Sequence, residues 1–131
     1  MKASDIMRRP VVAATPTATA RDVAIQLLMG EFSGVPVAQS DGSVVGVVTE
    51  LDLIRAVLRA GKALETTLAQ DIMTRDVMTV DAEAPMEEVM RVLEEKNIIR
   101  VPVTDEGKLV GVISRSDILR AMIEPTFLRF A

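Results

Sequence analysis

The sequence contains a long internal repeat, and this repeat limits the possible folds more than any other feature of the chain. Four motifs return in the same order, 66 residues later at first (5 to 71) and 65 residues later at the end (52 to 117). One extra residue of the first copy therefore lies in the turn that contains Asp41-Gly42. Repetition at a fixed spacing is typical of a duplicated supersecondary unit. The repeated motifs are Asp5-Ile6-Met7 and Asp71-Ile72-Met73, Val35-Pro36-Val37 and Val101-Pro102-Val103, Val45-Gly46-Val47 and Val110-Gly111-Val112, and Asp52 with Arg55-Ala56 and Asp117 with Arg120-Ala121.

Each copy predicts the same succession of elements, β-α-β-β-α. Val23 and Leu27, like Val89 and Leu93, have the spacing of one helix face, and Thr19 is a suitable N-cap. Strands rich in β-branched residues flank a turn in each copy. The predicted segments are residues 11–13, 20–29, 35–38, 44–48 and 51–60 in the first copy, and residues 77–80, 85–96, 101–104, 109–113 and 117–123 in the second.

A single copy, at roughly 60 residues, buries too little surface to be robust alone. We therefore expect an α+β protein in which the two copies pack face to face with pseudo-two-fold symmetry and form two related clefts. The expected division is a first repeat over residues 1–61, an exposed linker over residues 62–68 and a second repeat over residues 69–131. Together the two repeats form one module.

The composition excludes several classes of function. The 131 residues include no Cys and no His, which removes disulfides, thiolate metal sites and the imidazole of a catalytic triad. We expect no catalytic residue, no metal site and no catalytic cofactor. A net charge of −4 without a long basic run argues against nucleic acid as a partner. No apolar stretch reaches about 18 residues and the N-terminus has no signal-peptide core, so we expect no membrane span and a cytoplasmic location.

The order D-I-M, V-P-V and V-G-V-[VI]-[TS]-x-x-D-[LI], present twice, resembles the CBS-domain family, which is named for cystathionine β-synthase. The tandem arrangement resembles a CBS pair, or Bateman module, over residues 4–123. The resemblance implies that an adenosine-containing ligand binds between the two halves, that the pair forms a homodimer and that it regulates another protein. Ligands of the family are AMP, ADP, ATP and, in some members, S-adenosylmethionine or a dinucleotide.

Two hydroxyl-x-x-acid motifs, Thr49 to Asp52 and Ser114 to Asp117, stand where a strand is followed by a helix. A hydroxyl at the N-cap with an acid three residues later forms a capping box, which needs no ligand. The same helix start can bind a phosphate, and the acid can accept both hydroxyls of a ribose. In the family the matching Thr or Ser contacts phosphate and the matching Asp holds ribose, so the sequence leaves both interpretations open.

The resemblance also implies that each ligand cleft combines residues of both repeats. One cleft would contain Thr49, Asp52, Met78, Thr79, Ile98 and Arg100. The other would contain Ser114, Asp117, Val12, Ala13, Phe32 and Gly34, with Arg115 beside the helix start.

Three of these residues have alternative interpretations. Arg100 follows two isoleucines, and its planar guanidinium either binds phosphate or reaches water while its stem packs. The equivalent position of the first copy is Gly34, so the two clefts are unequal. Phe32 either stacks on a purine or packs against the protein, and Arg115 either reaches phosphate or is solvated.

The sequence therefore predicts a regulatory module that binds AMP, ADP or ATP, catalyses nothing and acts on a partner protein. A module that senses S-adenosylmethionine or NAD is one alternative. A dimeric scaffold with vestigial ligand sites is another, because the helix of residues 51–58 is apolar on more than one side. An enzyme that acts on nucleotides is the least supported, since no base, nucleophile or metal cluster accompanies the site.

Overall fold

The computed structural model describes residues 1–9 and 11–123, together with the bounds of the last helix. The chain forms two compact units, one of Val12–Val77 and one of Met1–Val11 with Met78–Ala131. Each unit mixes helices with a sheet, and the α+β prediction is confirmed. In chain order the elements are α1 (Ala3–Ile6), α2 (Ala20–Gly30), β1 (Gly34–Ala38), β2 (Val44–Thr49), α3 (Glu50–Leu58), α4 (Ala69–Ile72), β3 (Val80–Asp81), α5 (Met86–Glu95), β4 (Arg100–Asp105), β5 (Lys108–Ser114) and α6 (Arg115–Phe130).

The unit of Val12–Val77 is built on the antiparallel pair β1 and β2. Thr19 caps α2 as predicted, since its hydroxyl accepts a hydrogen bond from the backbone N–H of Asp22 at 3.1 Å. The predicted first strand is reduced to one bridge, in which Ala14 pairs with Val37 in parallel. The core consists of Ala14, Ala20, Val23, Leu27, Val35, Val37, Val48, Leu53, Ala69 and Met73.

The second unit has the same plan with a longer sheet, in the order β3-β4-β5. Strand β3 runs parallel to β4, and β4 runs antiparallel to β5. Helix α5 begins one residue later than predicted, because the extended backbone of Pro85 (φ −68°, ψ 153°) makes it the N-cap. The core consists of Ala3, Val80, Ala82, Ala84, Val89, Leu93, Val101, Val103, Ile113 and Ile118.

The segment that opens each repeat packs in the unit formed by the other repeat. Arg8 pairs with Val112 of β5, and 66 residues later Thr74 pairs with Val47 of β2. The two compact units and the repeat boundaries predicted from the sequence are therefore different divisions of the chain.

The glycine of each V-G-V motif makes room for this packing. A Cβ at Gly46 would lie 2.5 Å from Met73 Sδ, and a Cβ at Gly111 would lie 2.5 Å from Met7 Sδ. The D-I-M and V-G-V motifs thus form one contact in each unit, in which a methionine lies over a strand that has no side chain at that point.

Candidate functional site

The two hydroxyl-x-x-acid motifs lie at equivalent strand-to-helix junctions, one in each unit. Thr49 ends β2 and its hydroxyl accepts from the backbone N–H of Asp52 at 3.2 Å, while Asp52 Oδ2 accepts from the backbone N–H of Thr49 at 2.9 Å. Ser114 and Asp117 repeat this pair of bonds at 3.2 and 2.8 Å. The capping interpretation is therefore correct for both copies, and each capping box leaves the second carboxylate oxygen, Oδ1, for another partner.

In the first copy, Oδ1 of Asp52 has a neutral partner. The Thr74 hydroxyl donates to it at 3.3 Å, a long hydrogen bond between two groups that are partly or well exposed. Asp52 forms no ion pair with any residue that the structure describes. This carboxylate oxygen is held loosely and by a donor that other hydroxyls can replace.

In the second copy, Oδ1 of Asp117 has two cationic partners. Arg8 Nε donates to it at 2.7 Å and Arg120 Nη1 at 3.1 Å, and only 3% of the acid side chain is exposed. Burial alone would raise the pKa of Asp117, but the hydrogen bonds from Ser114 and Arg8 outweigh burial and hold that pKa below its ordinary value. The second acid is therefore a charged, tightly held group.

Arg8 and Thr74 are site residues that the sequence analysis missed. Both follow the repeated D-I-M motif directly, and they occupy equivalent positions of the two copies. Alignment of the two copies marks this position as one where they differ in charge. The contact of this position with the acid could not be predicted from the sequence, because Arg8 lies 109 residues from Asp117 in the chain.

Positions 34 and 100 lie directly across the hairpins from the two hydroxyl residues. Gly34 faces Thr49 and Arg100 faces Ser114. A Cβ at Gly34 would lie 3.2 Å from Thr49 Cγ2, whereas serine has no such methyl group and leaves room for a larger neighbour. In each copy, the size of the residue at position 34 or 100 therefore fits the hydroxyl residue across the hairpin: glycine faces threonine, and arginine faces serine. The predicted combination of Arg100 with Thr49 and Asp52 joins residues of different units and stays a prediction.

Two other predicted ligand contacts have structural roles within their units. Phe32 packs against the core of the Val12–Val77 unit and over Gly30, where a Cβ would overlap its ring. Arg115 fastens the turn between α5 and β4, since it donates to the Ile98 carbonyl at 2.9 Å and to Asn97 Oδ1 at 3.2 Å. The stacking role of Phe32 and the phosphate role of Arg115 remain untested predictions.

Four other predicted residues lie just before the first extended segment of each unit, which begins at Val80 in one unit and at Ala14 in the other. Met78 and Thr79 are exposed just before β3, and Val12 is exposed at the equivalent place in the other unit. Ala13 is half-buried, and its carbonyl lies 3.5 Å from Gln26 Nε2. Such residues present backbone and apolar surface, which is the chemistry that most small-molecule sites offer.

Among residues 1–9 and 11–123, no group of three His, Cys, Asp or Glu side chains is placed to hold a metal ion. No helix within the described part of the chain is long and apolar enough to cross a bilayer.

The fold and the two helix starts define an α+β protein with tandem repeats and one hydroxyl-x-x-acid motif per repeat. The family model of the CBS domain matches the chain twice, over residues 3–59 and 69–124. The chain belongs to the CBS-domain family, as a tandem pair.

Two relatives with this sequence pattern come from an archaeon and a bacterium. An uncharacterized protein of Methanopyrus kandleri, MK0525, is 32% identical over 122 residues, which are 92% of this chain and 61% of that protein. The chain therefore spans less than two thirds of this relative. Hypoxic response protein 1 of Mycobacterium tuberculosis is 30% identical over 128 residues, which are 98% of this chain and 90% of that protein.

Solved structures share the fold over nearly the full length of the chain. A crystal structure of Hypoxic Response Protein I with two coordinated zinc ions has a TM-score of 0.85 at 30% identity, covering 92% of this chain and 98% of that one. CBSX2 from Arabidopsis thaliana in complex with AMP has a TM-score of 0.83 at 26% identity. The CBS pair of protein MJ0100 with 5′-methylthioadenosine and S-adenosylmethionine has a TM-score of 0.81 at 27% identity. Each of the last two covers 95% of this chain and 98% of the other.

Proposed function

We propose that the chain is a non-catalytic cytoplasmic sensor that binds AMP, ADP or ATP and acts on a partner protein. The observation that carries the proposal is the Asp52 carboxylate: among the described residues its Oδ1 accepts from the Thr74 hydroxyl alone, at 3.3 Å, while its Oδ2 is held by the helix cap. A preformed carboxylate with one weakly bound oxygen is suited to accept the hydroxyls of a ribose.

The surroundings of Asp52 suit the rest of a nucleotide. The motif opens a nine-residue helix, α3, whose N-terminus favours a nearby negative charge. The Thr49 hydroxyl stands at this helix start and can turn toward a phosphate oxygen. Known structures support this use of the fold, because CBSX2 binds AMP and the MJ0100 pair binds S-adenosylmethionine.

We propose that each ligand binds in a cleft with residues from both repeats, as the family resemblance implies. In the cleft of Asp52, Arg100 would neutralise phosphate, and apolar residues such as Met78 and Ile98 would cover the adenine. Which adenosyl compound binds decides between a nucleotide sensor and a sensor of S-adenosylmethionine or NAD. An S-adenosylmethionine sensor would have no phosphate to place at the helix start.

Calorimetric titration tests the proposal. Wild-type protein is titrated with AMP, ADP, ATP, S-adenosylmethionine, NAD and adenosine, and we expect saturable binding that is weaker for adenosine than for its phosphorylated forms. Asp52→Ala should lose the binding, whereas Glu50→Gln, which removes a charge from the same helix start, should keep it. Thermal melting of each variant checks that it is folded, since loss of a capping box costs about 1 kcal/mol.

Two results would contradict the proposal. One is the absence of binding to every adenosine compound at millimolar concentration. The other is binding by Asp52→Ala that equals binding by the wild type.

A second candidate function, a dimeric scaffold, is favoured by the exposed apolar side of two helices. Ile54 and Leu58 of α3 are 58% and 78% exposed, and the equivalent Leu119 and Ile123 of α6 are 60% and 58% exposed. Large apolar side chains exposed in a row are typical of contact surfaces, and the commonest such contact is an isologous homodimer. A scaffold predicts that Asp52→Ala and Asp117→Ala leave partner binding intact, whereas a sensor predicts that partner binding responds to the nucleotide.

A further inference from the structure

The two copies of the motif differ in the group that occupies the free oxygen of the acid. In the first copy this group is the Thr74 hydroxyl, and in the second it is the Arg8 guanidinium. Arg8 and Thr74 are equivalent positions, so this difference comes from one substitution between the copies. Arg120 adds a second donor to Asp117, whereas the equivalent Arg55 forms no ion pair with Asp52 among the described residues. The two hydrogen bonds of the capping box are the same in both copies.

The two contacts differ in strength. A short bond between a guanidinium and a carboxylate is charge-assisted, whereas a long bond from a neutral hydroxyl is weak. Oδ1 of Asp117 also accepts from Arg120, and its Oδ2 accepts from the Ser114 backbone. Asp52 likewise accepts three hydrogen bonds, from the Thr49 backbone, the Thr49 hydroxyl and the Thr74 hydroxyl. The two acids therefore differ in the strength and charge of the donors at Oδ1, which in Asp117 are two guanidinium groups that ribose hydroxyls displace less readily than a neutral hydroxyl.

We propose that Arg8 acts as a latch on Asp117, so that the second copy cannot hold a ribose until Arg8 leaves, and the first copy, with Asp52, binds first. This inference rests on the proposed function. On this proposal, the residue that follows the D-I-M motif determines which copy binds a ligand first.

The latch can open without disturbing the core. The Arg8 side chain is 63% exposed, so its guanidinium can move into water while the buried acid keeps Arg120 and the helix cap as partners. For the same reason, removal of the Arg8 side chain should leave the second unit folded.

Exchange of the two residues tests the latch, with AMP as the probe in calorimetric titrations. Arg8→Thr gives the second copy the residue found in the first, and it should add a second binding event or tighten the weaker one by roughly tenfold or more. Thr74→Arg places an arginine beside Asp52 and should weaken the first event by a similar factor. Arg9→Thr removes the same charge from the next, exposed residue and should change neither event.

Substitution of each acid in turn shows which acid is responsible for which binding event. Asp52→Ala should remove the event seen in wild type, and Asp117→Ala in the Arg8→Thr background should remove the event gained. If Arg8→Thr melts as an unfolded protein, Thr74→Arg carries the test alone, and unchanged AMP binding in that variant overturns the latch.

The possible failures are distinct. Unchanged binding in Arg8→Thr overturns the latch and leaves the proposed function standing, provided that wild type binds AMP. Weaker binding in Arg8→Thr also overturns it, because Arg8 would then be a ligand contact. If neither wild type nor Arg8→Thr binds any adenosine compound, the latch and the proposed function fall together.

Discussion

Asp117 is a buried carboxylate that keeps its charge because donors surround it. Two arginines and the backbone of Ser114 satisfy its oxygens, and only 3% of the side chain is exposed. A buried charge is costly unless it is paired and hydrogen-bonded. Removal of one partner therefore lowers the free energy of unfolding of a unit that still folds, which is why Arg8 variants need a melting control.

The lowered pKa of Asp117 predicts how stability depends on pH. Because the pKa is lower in the folded state than in the unfolded chain, Asp117 stabilises the fold fully above about pH 4 and loses this contribution as pH falls through its folded pKa. Asn at this position cannot titrate. The free energy of unfolding of wild type should therefore exceed that of Asp117→Asn at pH 7, and the difference should shrink as pH falls. Denaturant curves at several pH values measure this, and a difference that stays constant from pH 7 to acid would contradict it.

Among the contacts between helices and strands, that of D-I-M with V-G-V joins segments that lie far apart in the chain. The sequence predicted α2, β1 and β2 to within a residue or two, since capping, apolar spacing and turn residues are local signals. It did not predict which V-G-V strand each D-I-M segment meets. Both strands carry the same V-G-V motif, so the local sequence does not distinguish them. The pairing of each D-I-M segment is decided by the tertiary fold.

In the candidate site, too, the local contacts were predictable from the sequence and the long-range contacts were not. The capping of Thr49 with Asp52 and of Ser114 with Asp117 was predictable, because four consecutive residues fix it. Arg8 and Thr74 were not predictable as partners of the acids, since they reach them through the long-range pairing of their segments.

Gly111→Ala tests the methionine contact. The new Cβ would lie 2.5 Å from Met7 Sδ and 2.8 Å from its Cγ, so the substitution should lower the free energy of unfolding by about 1–3 kcal/mol. Met7→Ala removes Sδ and Cγ and leaves only the Met7 Cβ, 2.9 Å from the new atom, so the double variant should lose less stability than the two single changes together. Thermal and denaturant melts of the four proteins measure the coupling. Strictly additive losses would show that Met7 does not lie over Gly111.

For the chain as a whole, the two compact units cut across the two repeats. One unit needs both the first eleven residues and the second half of the chain, whereas the other is one continuous segment, Val12–Val77. Loss of the N-terminal segment should therefore destabilise elements in the second repeat, which are far away in the sequence.

Hydrogen exchange tests this division. Deletion of residues 2–9 removes the backbone partners of Ala82, Ala84 and Val112, so amides of β4 and β5 should exchange faster. Amides of β1 and β2 belong to the other unit and should be less affected. Faster exchange confined to β1 and β2 would contradict the assignment of the N-terminal segment.

The central claim is that adenine nucleotide binds at a hydroxyl-x-x-acid helix start. An amide-resolved NMR titration with AMP observes both starts in one experiment. We predict saturable shifts of the Thr49 and Asp52 amides, with those of Ser114 and Asp117 moving only at higher AMP concentration or after Arg8→Thr. A titration to millimolar AMP in which neither helix start shifts would contradict the claim.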